Sequence, residues 1–166
     1  MSTVEPIVAV VNLLYNNWSI TSPAKDTTTS TSLATQDPTK VHFTNRWYAY
    51  SPLRLHTFQI SVRPLNKPYR ALQLGTITKY YNPENMAIHV WVLPNPQLTI
   101  EQAHTSLYNI LQEIRRIIRI QGETAGSGIQ HILLGPWQDR SELDKDPPQL
   151  HVEARIIGEI FEMSTS

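Results

Sequence analysis

The chain has 166 residues, 40% of them hydrophobic and 17% charged, with 14 basic and 14 acidic side chains and no cysteine. That suffices for one ordinary core without staples, and it excludes disulfides, a thiolate nucleophile and a cysteine-based zinc site. Zero net charge argues against a generally basic nucleic-acid-binding surface, no apolar run approaches a membrane span, and no basic segment leads into an apolar one as in a secretory signal.

In chain order, residues 4–18 predict a first helix. Ile7, Val8, Val10, Val11, Leu14 and Trp18 recur on one helical face, and Pro6 suits the first turn. Residues 19–40 are expected to form a mobile loop, because the run from Thr27 to Ser32 has too little apolar surface to fix itself. Four strands follow. Val41–Thr44 alternates, and His56–Arg63 points Phe58, Ile60 and Val62 inward. The third runs from Ala71 to Tyr80, with Gly75 marking a bulge or a close backbone approach. The fourth, Met86–Leu93, is apolar on nearly both faces, the pattern of a central strand covered on both sides. Asn82-Pro83-Glu84-Asn85 predicts a tight turn between the last two.

Thr99-Ile100-Glu101-Gln102 has capping-box spacing and opens a long helix to about Gln121. Ile100, Ala103, Leu107, Ile110, Leu111, Ile114 and Ile118 form its buried stripe, and Arg115, Arg116 and Arg119 oppose the negative end of the helix dipole. A short strand, Ile129–Leu134, an acidic proline-containing loop at 137–148 and a long strand from Leu150 to Met163 complete the chain. The final strand places Val152, Ala154, Ile156, Gly158 and Ile160 on one face, and His151, Glu153, Arg155 and Glu159 on the other. These elements predict a single α+β domain: a mostly antiparallel sheet of four to six strands with two helices packed on one face.

No catalytic apparatus is legible. Among His42, His56, His89, His104, His131 and His151 no pair has metal-ligand spacing, although His89, His131 and His151 lie on predicted strands and can converge. No nucleophile elbow and no phosphate-binding glycine loop occurs, and the spacing of Asp144 and Asp146 lacks the glycine and terminal glutamate of a calcium loop. The chain is therefore expected to need neither metal nor cofactor. Arg46-Trp47-Tyr48-Ala49-Tyr50 interleaves cations and rings. That pattern serves loop packing, a protein interface, or a small single-stranded nucleic-acid-binding module in which bases stack on the rings.

Charge is unevenly spread. Between Val41 and Pro83 the ionised residues are Arg46, Arg54, Arg63, Lys67, Arg70 and Lys79, without an acid. From Gln138 onward the acids Asp139, Glu142, Asp144, Asp146, Glu153, Glu159 and Glu162 outnumber Arg140, Lys145 and Arg155. Such a split either solvates opposite sides of a monomer or matches one copy to the next, head to tail.

The order of these elements resembles the tail terminators and head–tail joining (neck) proteins of tailed viruses. The residues that carry the likeness are Ile7–Trp18, Trp47-Tyr48 ahead of Phe58–Val62, the helix from Leu107 to Ile118, and Ile132–Gly135 joined by an Asp-rich loop to Val152–Phe161. The Asn16-Asn17-Trp18 ending and the Trp47-Tyr48 segment also resemble proteins of archaeal tailed viruses or proviruses. The resemblance covers most of the chain outside residues 19–40 and implies a virion structural protein without enzymatic activity. It would be made in the host cytoplasm and would form a hexameric ring between the tail-tube protein and the head connector. On that reading Trp47, Tyr48, Arg54 and Arg70 face Asp139, Glu142, Asp144 and Asp146 of a neighbouring copy. The basic surface between 46 and 79 would then line a lumen with transient DNA contact, and no membrane is involved.

Overall fold

The structure is a computed structural model that describes residues 5–27, 39–44, 57–65, 70–74, 77–81, 84–94, 98–123, 129–145, 148–159 and 161–165; for 70–81, Glu84 and 161–165 only the backbone is described. The body is a six-stranded sheet with two helices, α1 (Pro6–Asn17) and α2 (Ile100–Gln121), packed against it. The strands β1 (Val41–Thr44), β2 (Phe58–Pro64), β5 (Glu84–Val92), β8 (Leu150–Glu159) and β6 (His131–Leu134) lie side by side in that order, and the short β7 (Gln138–Asp139) shares the β8 edge with β6. Pairing is antiparallel except between β1 and β2.

The helix α2 forms where its sequence predicts. The Thr99 hydroxyl accepts from the Gln102 amide at 3.3 Å and the Gln102 side chain accepts from the Thr99 amide at 3.0 Å, so two amides without an intrahelical partner are satisfied at once. Its buried stripe differs in detail from the expected one. Ile117 and Glu113 belong to it, Leu111 is half-buried, and Ile100 is exposed at the first turn. Val10 and Leu14 of α1 and Ile110, Ile114 and Ile117 of α2 meet Ile60, Val62, Ile88, Val90 and Ile156 of the sheet in a single core. The even-numbered residues of β5 enter that core, whereas Ala87, His89 and Trp91 are buried on the opposite face. The strand is thus central and covered on both sides, as its composition predicts.

Two local expectations are corrected. The run from Ala71 to Tyr80 is not one strand but an antiparallel pair, β3 (Arg70–Leu74) and β4 (Ile77–Tyr81), with Leu74 opposite Ile77. The two-residue connection opens with Gly75, the residue favoured at the first central position of one of the two tight hairpin turns. Nor do β4 and β5 pair with each other. β4 pairs with β9 (Phe161–Thr165) and β5 with β8, in the same register from Ile77↔Thr165 to Val92↔Leu150. Of the expected tight turn, Asn82 and Pro83 lie outside the described residues, and Glu84 and Asn85 belong to β5. Strands β3, β4 and β9 form a second, three-stranded sheet.

The segment after α1 is anchored at its start. The Trp18 indole donates to the Pro23 carbonyl at 3.1 Å, and Asp26 and Ala24 exchange backbone bonds with Val41. Lys25 donates to the Tyr15 carbonyl at 2.9 Å and lies over the Tyr15 ring. Residues 28–38 of the expected mobile loop lie outside the described residues. Among the described residues no helix is long and apolar enough to cross a membrane.

Candidate functional site

Strand alternation sends every second residue of β2, β5 and β8 away from the helices, and the register sets them in rows. Ser61, His89, Glu153 and Gln138 form one row across four strands; Gln59, Trp91 and His151 form the next. The rings of Trp91 and His151 stack at 4.5 Å and 12°, and His89 lies 5.2 Å from Trp91. Arg63 Nε donates to His89 Nε2 at 2.9 Å, which leaves the His89 proton on Nδ1. That Nδ1 stands 2.9 Å from His151 Nε2, so the second imidazole accepts. Glu153 Oε2 lies 3.6 Å from the same Nδ1, and its other oxygen accepts from Arg140 Nε at 2.9 Å.

This network runs one way, from Arg63 through His89 to His151, and both imidazoles must be neutral for it to hold. Burial, then the neighbouring His151 and Arg63, push His89 down to about 4 against the opposing pull of Glu153. Burial lowers His151 as well, opposed chiefly by Glu153. The His89 lone pair is engaged by Arg63, so it is not held as a base toward Ser61, whose buried hydroxyl has no partner among the described residues. Of the three histidines that the sequence allows to converge, two meet; His131 is exposed on β6, away from them. No group of three metal-ligating side chains is assembled among the described residues.

A second polar cluster joins the two helices. Glu113 is buried in the α2 stripe, where its carboxylate accepts from Arg116 Nη2 at 2.7 Å and Nε at 3.0 Å, from the Ser19 amide at 2.9 Å and from the Ser19 hydroxyl at 3.0 Å. Arg116 also donates to the Asn17 carbonyl at 2.9 Å. Burial alone would raise the Glu113 pKa, but Arg116 and both Ser19 donors hold it below the usual carboxylate range. Arg116 is thereby a structural residue, unlike its neighbours Arg115 and Arg119. Those two are exposed and have no ion-pair or hydrogen-bond partner among the described residues.

The candidate interface residues separate into two groups. Trp47, Tyr48, Arg54 and Asp146 lie outside the described residues, as does the whole Arg46–Tyr50 segment, and Arg70 opens β3 opposite Tyr81. Asp139 is exposed at the end of β7, and Glu142 and Asp144 are exposed on the turn that follows it. Asp139 accepts from the Ser141 amide at 2.8 Å, the Ser141 side chain and then this amide lower its pKa, and Glu142 pairs with Lys145. Arg140 reaches back to Glu153, so this turn is less uniformly acidic than its sequence. No protein-family model matches the chain, and no curated protein is similar to it at a significant level.

Proposed function

We propose that this chain is a structural protein of a tailed virion, a tail terminator or neck adaptor that works as an oligomeric ring between the tail tube and the head connector. The observation that carries the reading is the division of the strands into two sheets. A helix-backed six-stranded sheet supplies a body, and β3-β4-β9 form a second sheet suited to serve as an arm. Strands β3 and β9 have no outer partner strand among the described residues, and open edges of this kind offer backbone donors and acceptors to another chain. An adaptor needs such a division, with a body that closes a ring and an arm that reaches a neighbouring ring. The chain order supports the same reading through its resemblance to tail-completion proteins.

Native mass spectrometry of the purified chain, with negative-stain images of the same sample, tests it. The expected result is a closed ring, hexameric on the family's pattern. A monomer at every accessible concentration contradicts a ring that assembles by itself.

A further inference from the structure

Along the outer edge of β8 two features lie far apart. At one end, α2 and β6 enclose a pocket of about 450 Å³ with Ile118, Ile132 and Leu134 in its walls and Arg115, Arg119 and His131 around them. All three of those polar side chains are exposed and have no polar partner among the described residues. At the other end, the turn after β7 presents Leu143, 54% exposed, between Glu142 and Asp144. An exposed leucine flanked by acids is the complement of an apolar pocket flanked by arginines.

The two cannot meet within one chain. The pocket lies beside β8 from Arg155 to Glu159, where Leu134 stands opposite Ile156 and Ile132 opposite Gly158. The turn closes through a bridge between Glu142 and Gln149, before β8 begins. From Gln149 to Ile156 the strand advances roughly 23 Å at about 3.3 Å per residue. Knob and pocket therefore face different neighbours, and a contact between them is heterologous: each copy gives its turn to the next and receives one from the copy before. Contacts of that type close into rings when the rotation allows.

We propose that the 139–145 turn of one copy docks in the Arg115/Arg119 pocket of the next, with Leu143 among Ile118, Ile132 and Leu134 and the acids on the two guanidiniums. The proposal rests on the ring reading above and names its contact. It replaces the partner that sequence alone suggests for the acidic turn, the basic 46–79 stretch, by the end of α2. Arginine forks suit carboxylates in this role because each can bind bidentately.

Two reversed variants test it, Arg115→Glu/Arg119→Glu and Glu142→Lys/Asp144→Lys. Alone, each should associate on the order of a hundredfold more weakly than the wild type, because like charges then face each other across the contact. Mixed in equal amounts they should reassemble, since each turn then meets a pocket of opposite sign. Far-UV circular dichroism establishes that both are folded, and Leu143→Ser, which alters no charge, should weaken association by itself. Wild-type rings that persist in both reversed variants overturn the contact and leave the ring reading intact. Reversed variants that are folded but do not reassemble on mixing also overturn the contact. A wild-type chain that never leaves the monomer overturns both.

Discussion

Replacing Glu113 by alanine will lower the unfolding free energy by about 2–3 kcal/mol, measured as a fall in the urea midpoint at unchanged slope. Glu113 is 3% exposed, yet it sits in the apolar stripe of α2 at the place where a hydrophobic residue would otherwise pack. It is tolerated there because every lone pair it turns inward is used: the Ser19 amide and hydroxyl and the Arg116 guanidinium all donate to it. Alanine removes the acceptor and leaves the Ser19 amide without its partner while opening a void beside the core. Arg116 can turn to water, so the loss stays below that of a fully buried pair. Glu113→Gln preserves size and one acceptor and should cost about half as much, on the order of 1 kcal/mol. Because this carboxylate ties the α1–β1 connection to α2, the alanine variant should also expose residues 19–27 to faster hydrogen exchange.

Acidification from pH 7 to pH 4 will remove about 3 kcal/mol of stability through His89 alone. An unfolded histidine titrates near 6.5, whereas His89 in the folded chain is held down at about 4. Between those values the unfolded state carries a proton that the folded state refuses, so stability is complete above the upper value and falls as pH drops toward the lower one. His151, also lowered, contributes with the same sign. Below the ordinary carboxylate range the loss steepens, since Glu113, Glu153 and Asp139 are held below their usual values and their stabilisation disappears as they protonate. The groups that face the pair are Arg63, Glu153, Arg140, Asp139 and Glu142, and only the acids favour protonation. Protonated His89 would point an N–H at the Arg63 donor, which is why the network breaks. In His89→Gln the amide can still accept from Arg63 and donate to His151, but it does not titrate. Its stability should therefore decline less than that of the wild type between pH 6.5 and 4.5, the remaining slope coming from His151. An equal slope in both proteins would place the acid sensitivity elsewhere.

The fold was readable from sequence where its signals are local. The α2 stripe, its capping box, the alternation of β2 and the two-sided burial of β5 each lie within a window of a few residues. What escaped is set by pairing. Gly75 marks an irregularity in the run from Ala71 to Tyr80, but a bulge and a hairpin leave the same local trace, and only the pairing of Leu74 with Ile77 separates them. Asn82 and Pro83 have the chemistry of a turn between paired neighbours, but β4 and β5 take other partners, β9 and β8. His89 and His151 are 62 residues apart and meet only because β5 and β8 pair in one particular register. Glu113 is a different case. It lies three residues after Ile110 and next to Ile114, inside the apolar stripe, and a carboxylate in that position already signals a buried partner. The acidic turn was legible as an acidic turn, but its composition could not show that Glu142 and Arg140 are engaged within the same copy, nor that Leu143 stands out between the acids.

The most direct test of head-to-tail assembly uses the absence of native cysteine. A chain carrying both Leu143→Cys and Pro136→Cys, the latter in the lining of the Arg115/Arg119 pocket, treated with a short bis-maleimide and run on a denaturing gel, should give a ladder that stops at one ring size. Each single-cysteine chain should give monomer, and an equal mixture of the two should give only dimer. A double-cysteine chain that stays monomeric on the gel while native mass spectrometry shows it assembled would contradict the turn-in-pocket contact. So would dimers formed just as readily by Leu143→Cys alone, because they would mean that the turns meet each other rather than a pocket.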